Sequence, residues 1–398
     1  VIVQGNALTE LKKMDSDSMD CVVTSPPYWS LRKYDIPDVI WEDHSFVTPG
    51  LLRGEVCEHE WGRQIIRRDR GQAAGESAQV GNQKREICGT ETQQGQFCLR
   101  CGAWKGQLGL EPTFELYLKH LLSIFDEVKR VLKKEGTCWV NMGDSYSGSN
   151  GPGYSETKWK PLYPGNEPLN PDKQWTVPAK SLCLIPYRFA IAMVDRGWIC
   201  RNTIIWYKRN CMPSSAKDRF TVDFEPLFFF VKSRKYWFDA DSVKLPCSPA
   251  THARVSQDLM NQIGSYRAHG GGKTNGPMKA VIAGSTRKLA EAGSGIKGNK
   301  SFESACVMPV TKRNRRCVWE IPTAPYSEAH FATFPEDLVE PMIRAGCPKD
   351  GIVLDPFCGS GTTLRVAESL QRQAIGIDLG YQDLVDKRKR NNQVELYV

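Results

Sequence analysis

Apolar and polar positions alternate along the chain in a rhythm that predicts its elements. A short apolar run, VIVQ, leads to a turn at Gly5-Asn6 and then to a helix. A second buried run, DCVV, stops abruptly at TSPPYW (24–29). Over 113–135 the apolar residues Leu118, Leu121, Leu122, Phe125, Val128, Val131 and Leu132 recur at the helical period, and Gly136 is placed to stop that helix. GTCWVNMGDS reads as the next strand, 181–196 as a helix, and NTIIWYKR and EPLFFFVKS as two further strands. Toward the C-terminus PEDLVEPMIRAG is helical, GIVLDPF extended, TLRVAESLQRQ helical and QAIGIDL extended. Strands alternating with helices predict an α/β fold with a doubly wound, mostly parallel sheet.

Two stretches break the rhythm. Residues 36–105 are polar and rich in Arg and Gln, while 251–316 are rich in Gly, Ser and Lys/Arg with little periodicity. The second stretch holds twelve Lys/Arg against three Asp/Glu, more than the whole chain's net charge of +8. A solvated linker and a polyanion-binding surface are both compatible with such a run. The apolar fraction, 40%, is ordinary for a globular protein. No apolar run approaches the roughly 20 residues that span a bilayer, so a cytoplasmic protein without a membrane partner is expected. Most of the 14 cysteines stand singly in apolar contexts (Cys21, Cys138, Cys183, Cys200), as reduced core residues do.

VLDPFCGSGTT (353–363) has the form strand, glycine turn, helix start. Gly359 and Gly361 permit positive φ and close backbone approach, Thr362 or Thr363 can cap the helix, and the absent Lys excludes a phosphate-binding P-loop. The strand AIGID that follows ends in Asp378, placed to accept hydrogen bonds from ribose hydroxyls. This loop resembles the S-adenosylmethionine motif of amino-group DNA methyltransferases, and TSPPYW resembles the same family's catalytic loop. The order, catalytic motif first and cofactor motif last, is similar to the β class, a circularly rearranged Rossmann-like methyltransferase fold. GNALTEL, GQLGLEPTFELYL, RVLKKEGTCWVNMGDSY, IIWYKRNCMPSS, KYWFDADSV and HFATFPEDLVEPMIRAGCP extend the resemblance over most of 1–35, 106–250 and 317–398.

The resemblance implies S-adenosylmethionine as cofactor, held by Asp355, Phe357, Gly359, Ser360, Gly361, Thr362 and Asp378, with Phe331, Thr333 and Phe334 near its methionine part. It implies a catalytic corner of Ser25, Pro26, Pro27 and Tyr28. An exocyclic amine is a poor nucleophile because its lone pair is delocalised into the ring. Acceptors on both amine hydrogens, Ser25 Oγ and the Pro26 carbonyl, favour a pyramidal nitrogen that attacks the methyl sulfonium in line. Pro27 stiffens the corner in advance. Tyr28 would stack on a base flipped from double-stranded DNA, with Trp29 supporting that stack or lining the wall. Serine before the prolines favours cytosine N4 over adenine N6 as the target. Methylation of protein or RNA amines, and a decayed zinc-bearing DNA-binding protein, fit the intact motifs less well. Alone, SPPY is equally a strand-terminating turn.

Where the family passes from PPYW through a few residues into GQLGLEPT, this chain inserts 36–105, too short and polar to build a core alone. It contains Cys57 and His59 in CEH and Cys98 and Cys101 in CLRC, a set suited to a structural tetrahedral zinc, with Cys88 as an alternative to His59. Reduced cysteines without metal are the plainer reading. The expected organisation is a catalytic half of the core (1–35), the zinc module (36–105), the core continued (106–250), a basic recognition region (251–316) and the cofactor half (317–398). Lys312, Arg313, Arg315 and Arg316 in TKRNRR suit phosphate contact. A homodimer and a cognate restriction endonuclease are candidate partners, and a prokaryotic or phage origin is expected. Base-reading side chains are not legible from sequence.

Overall fold

The computed structural model describes residues 1–30, 36–42, 57–69, 87–147, 177–178, 180–248, 312–323 and 334–380, and among these the side chains of 63–69 and 87–95 are not described. The chain divides into two compact units, Val1–Phe238 with Cys317–Val398, and Asp239–Arg316. In the second, β10 (Leu245–Pro246) pairs antiparallel with β11 (Lys312–Arg313).

The first unit is built on an eight-stranded sheet. Its strands are β1 (Ile2–Gln4), β2 (Met19–Thr24), β7 (Leu132–Asn141), β8 (Ile199–Tyr207), β9 (Phe224–Val231), β12 (Val318–Glu320), β13 (Ile352–Asp355) and β14 (Gln373–Asp378). The order is β1-β14-β13-β2-β7-β9-β8-β12, with every pairing parallel except those of β9. The expected doubly wound, mostly parallel sheet is present. The antiparallel β9 was not legible from EPLFFFVKS, because a strand covered on both faces reads the same in either direction.

Both faces are covered. Helix α2 (Phe114–Val131) buries Phe114, Tyr117, Leu121, Ile124, Phe125 and Val128 along one stripe, each such side chain contributing about 1.5–3 kcal/mol. With α1 (Ala7–Lys13) and α3 (Ile185–Asp195) it packs on the face that carries Val22, Val140, Phe228 and Phe230, where Phe189 meets Phe230 edge to face at 6.2 Å. The opposite face carries Trp139 and Phe229, stacked at 4.0 Å, and receives α4 (Glu336–Gly346), which in turn packs on α5 (Thr362–Ser369). Gly346 makes that approach: a Cβ there would meet Thr137 Oγ1 at 2.4 Å.

One predicted boundary moves. Helix α2 ends at Val131 rather than running to Glu135, since Leu132 is already extended and pairs with Met19. Lys133 Nζ binds Asp20 at 2.8 Å, fixing that early strand start. Gly136 is therefore no helix stop. It lies where a Cβ would strike Leu132 at 2.6 Å and the Asp20 carbonyl at 3.0 Å.

The stretch 36–105 supplies a second, antiparallel sheet of β3 (Val39–Trp41), β4 (Trp61–Asp69), β5 (Ile87–Cys98) and β6 (Trp104–Gly106), in the order β3-β6-β5-β4. Its buried aromatics, Trp41 and Trp104, join the core beneath α2 instead of forming a core of their own.

Candidate active site

Seven of the eight sheet strands run in one direction, so their carboxyl ends share one edge, and antiparallel β9 brings its amino end to the same edge. In such sheets ligands bind outside the carboxyl ends of the strands. A cleft of about 1320 Å³ lies there, lined among others by Asn6, Ser25, Tyr28, Glu225, Gly359 and Asp378. The two motifs separated by more than three hundred residues thus meet on adjacent strands. Thr24 Oγ1, at the end of β2, donates to Asp355 Oδ1, at the end of β13, across 2.7 Å.

Asp355 is the hub of that junction rather than a wall of the cleft. It is buried, and it accepts also from Thr363 Oγ1 at 2.6 Å and from the Phe357 amide at 3.1 Å. Burial pushes its carboxyl up to about 6 despite these donors. Above it the chain turns through Gly359 (φ 47°) and Gly361 (φ 77°), the left-handed conformation that glycine adopts without strain. A Cβ on Gly359 would meet nothing within 4 Å, so the backbone faces open space. The Gly359 amide donates to Asp378 Oδ2 at 3.0 Å and the Gly380 amide to Oδ1 at 2.9 Å. Phe357, Ser360, Thr362 and Phe334 also line the cleft. Phe331 and Thr333 lie outside the described residues. Gly5, Asn6 and Ala7 complete this end. The sequence signal for them was the Gly-Asn turn, where Asn6 Oδ1 caps α1 by accepting from the Thr9 amide at 3.2 Å.

At the proline corner Ser25 Oγ donates to the Tyr28 hydroxyl at 3.3 Å, and Tyr28 donates to Glu225 Oε2 at 2.8 Å. Asn141 Nδ2 donates to both at 2.7 Å, and Lys208 Nζ pairs with Glu225 Oε1. Burial, the Glu225 charge and the bond to Glu225 hold the Tyr28 phenol well above its ordinary range, so it stays protonated. The donor chain ends on a carboxylate, so the Ser25 proton is engaged by the Tyr28 hydroxyl and the Ser25 oxygen keeps lone pairs with which to accept. Gly143 allows the tyrosine ring to sit where it does: a Cβ there would meet Tyr28 Cε2 at 2.4 Å. Asn141, Lys208 and Glu225 went unread in the sequence because each is a polar residue at a strand end, defined as a partner only by the topology.

The corner is held from behind as well. Tyr117 Oη donates to the Pro27 carbonyl at 2.8 Å. Trp29 is buried, donating its indole N–H to the Glu111 carbonyl at 2.9 Å, so it supports the corner and does not line the cleft. Glu111 Oε2 accepts from the Gly109 amide at 2.7 Å, and the Gly109 carbonyl accepts from the Ser30 amide at 2.8 Å. Glu111 Oε1 is 2.9 Å from His120 Nδ1, and His120 is stacked between Trp41 (4.7 Å) and Trp104 (5.6 Å) of the inserted sheet.

At the far end of that sheet, Cys57, His59, Cys98 and Cys101 bring their ligand atoms within 4.8 Å of one another. Cys57 Sγ lies 3.9 Å from Cys98 Sγ, and Cys101 Sγ 3.3 Å from His59 Nδ1. The edge of a tetrahedron with Zn–S bonds of about 2.3 Å is about 3.8 Å. Gly102 (φ 71°) completes the turn, in which the Arg100 amide points at Cys98 Sγ from 3.4 Å. Burial raises the Cys98 thiol, but hydrogen bonds from the Cys101 backbone, His59 and the Arg100 amide outweigh it and bring it to about 6. The Cys88 side chain lies outside those described.

Lys312 and Arg313 sit on β11, followed by Arg315 and Arg316, all in the second unit and partly to fully exposed. No helix among the described residues is long and apolar enough to cross a membrane.

The family model described as DNA methylase, covering N6 and N4 methylases, matches residues 19–384. Among curated relatives, the type II methyltransferase M.XycI of Xanthomonas campestris pv. cyanopsidis is 30% identical over 95% of this chain and 83% of its own length. The type II methyltransferase M.Cfr9I of Citrobacter freundii is 30% identical over 97% and 86%. Among solved structures, the PvuII DNA methyltransferase (cytosine-N4-specific) superposes with a TM-score of 0.50 over 98% of this chain and 85% of that one, at 16% identity.

Proposed function

The chain belongs to the N6/N4 family of DNA methylases as a type II DNA methyltransferase, and from that premise we propose that it moves a methyl group from S-adenosylmethionine to the N4 amine of cytosine in double-stranded DNA. The observation that carries this reading is the meeting of the proline corner and the glycine loop at one cleft, locked by Thr24 and Asp355.

The residues present suit the cofactor. Asp378 accepts the Gly359 and Gly380 amides and lines the cleft, where its carboxylate suits a ribose hydroxyl. Gly359 leaves its backbone open to a ligand, and the half-buried Phe357 and Phe334 offer apolar contact. When bound, S-adenosylmethionine supplies an electrophilic methyl sulfonium.

The protein's task is to expose the amine's lone pair to it. Ser25 Oγ, its proton committed to Tyr28, accepts one amine hydrogen, and the Pro26 carbonyl accepts the other. Held by these two acceptors, the nitrogen would turn pyramidal and present its lone pair toward the methyl group that the bound cofactor would supply. The surplus proton on nitrogen leaves along the Ser25–Tyr28–Glu225 chain. Tyr28, anchored by three polar partners, offers a fixed ring edge and face to the flipped base. A neutral serine suits cytosine, as the name of the PvuII relative suits that target for that protein.

Two further assignments belong to this reading. Cys57, His59, Cys98 and Cys101 hold a structural zinc with all four positions filled by protein, and Lys312, Arg313, Arg315 and Arg316 contact phosphates. Mass spectrometry of nucleosides from DNA treated with the enzyme and S-adenosylmethionine tests the target base. N4-methylcytosine is expected. N6-methyladenine would overturn the cytosine assignment and keep the amine chemistry.

A further inference from the structure

The loop between β8 and β9 carries a feature that the transfer chemistry leaves unused. It leaves the sheet at Lys208 and returns at Phe224, closed at its base by the Lys208 amide donating to the Asp223 carbonyl at 2.7 Å. Its root is therefore the same Lys208–Glu225 pair that anchors Tyr28. The loop is pinned along its length. The Arg219 guanidinium lies 3.7 Å from the Tyr146 ring centroid, Lys180 pairs with Asp218 at 2.8 Å, and Asn210 accepts from the Thr323 amide at 2.8 Å.

Next to the pinned Arg219, Phe220 is 96% exposed, and Met212 on the other arm is 87% exposed, both on the rim of the catalytic cleft. Single exposed apolar residues are common. An aromatic ring and a thioether exposed on one anchored loop, at the mouth of the cleft that must receive a base, have a specific use. The loop carries Lys208, Arg209, Lys217 and Arg219 against Asp218 and Asp223, a modest positive excess on the side where phosphates flank that base.

Turning a nucleotide out of a duplex leaves a gap in the base stack. Apolar side chains inserted at base steps fill such gaps, and a planar ring recovers stacking that the flipped base has lost. We propose that Phe220, supported by Met212 on the other arm of the loop, is the wedge that enters the duplex and occupies the place vacated by the target base. This rests on the assignment of the cleft to DNA amine methylation.

The test compares the full-length wild type with Phe220→Ala and Phe220→Trp on two duplexes, one with the target cytosine correctly paired and one with it opposite an abasic site. The second duplex flips its target without needing a wedge. On the paired duplex Phe220→Ala is expected to lose about tenfold to a hundredfold in kcat/KM, the range that corresponds to loss of one stacking contact. It should recover to within about threefold of wild type on the abasic-opposed duplex, while Phe220→Trp retains activity on both. S-adenosylmethionine affinity should be unchanged throughout. Equal rates for Phe220→Ala and wild type on the paired duplex would overturn the wedge and leave the methylase reading intact. So would a loss that the abasic site fails to rescue. A wild-type protein that methylates neither duplex would overturn the underlying reading, and the wedge with it.

Discussion

Asp355 shows how much one side chain contributes to joining the two motifs. Its carboxylate gathers Thr24 from the catalytic strand, Thr363 from the helix after the glycine turn and the amide of Phe357. Burial outweighs those donors and raises its pKa from 3.8 to about 6. The folded state therefore binds a proton more tightly than the unfolded state. Its stabilising effect is present below about pH 4 and is lost as pH rises to about 6, worth about 3 kcal/mol in all. Asp355→Asn removes the titration. The gap in unfolding free energy between variant and wild type, followed by denaturant titration from pH 4 to 7, should shift against the wild type as pH rises and level off above about 6. The sequence showed Asp355 as part of a cofactor motif. It could not show that the residue would be buried beneath the loop, since that depends on a threonine 331 positions away in the chain.

Ser25 was legible for the opposite reason. Two prolines after a buried strand fix the local geometry wherever the rest of the chain goes, and the hydroxyl before them stands out. Glu225 and Asn141 had no such local mark. Their roles follow from β9 running antiparallel beside β7, a pairing that leaves no trace in periodicity when both strand faces are covered.

Among the elements, the inserted sheet is the one the sequence portrayed least well. Its cysteine and histidine spacing announced a ligand set, and the four ligand atoms do converge. Its aromatic residues announced nothing, although Trp41 and Trp104 enclose His120, whose partner Glu111 holds the Gly109 turn against the proline corner. From the cysteine–histidine set the Cys98 amide reaches the Ala103 carbonyl, and Trp104, His120, Glu111 and Gly109 continue the packed and hydrogen-bonded series to the proline corner. Stripping the metal with a thiol-specific reagent and a chelator should release about one zinc per chain and open 57–106 to limited proteolysis. Single-turnover methyl transfer should slow, with S-adenosylmethionine affinity preserved, because the glycine loop is held by residues of β13, β14 and α5 and the inserted sheet packs behind the proline corner. Unchanged proteolysis and rate after full metal release would remove the zinc from the account.

At the scale of the whole molecule, the circular order of the motifs is the main lesson. Alternating strands and helices predict a doubly wound sheet from sequence alone, but strand order is a long-range property. β13 and β14, the last of the described strands, insert between β1 and β2. Only that insertion brings residues near 25 and near 359 to one cleft. The measurement that tests this union most directly is single-turnover methyl transfer by Ser25→Ala, with cofactor affinity determined on the same protein by calorimetry. The account predicts S-adenosylmethionine binding within about twofold of wild type and a transfer rate lower by about a hundredfold or more, the scale of losing one oriented polar partner in a transition state. A variant that binds cofactor and DNA normally and transfers methyl at the wild-type rate would contradict it.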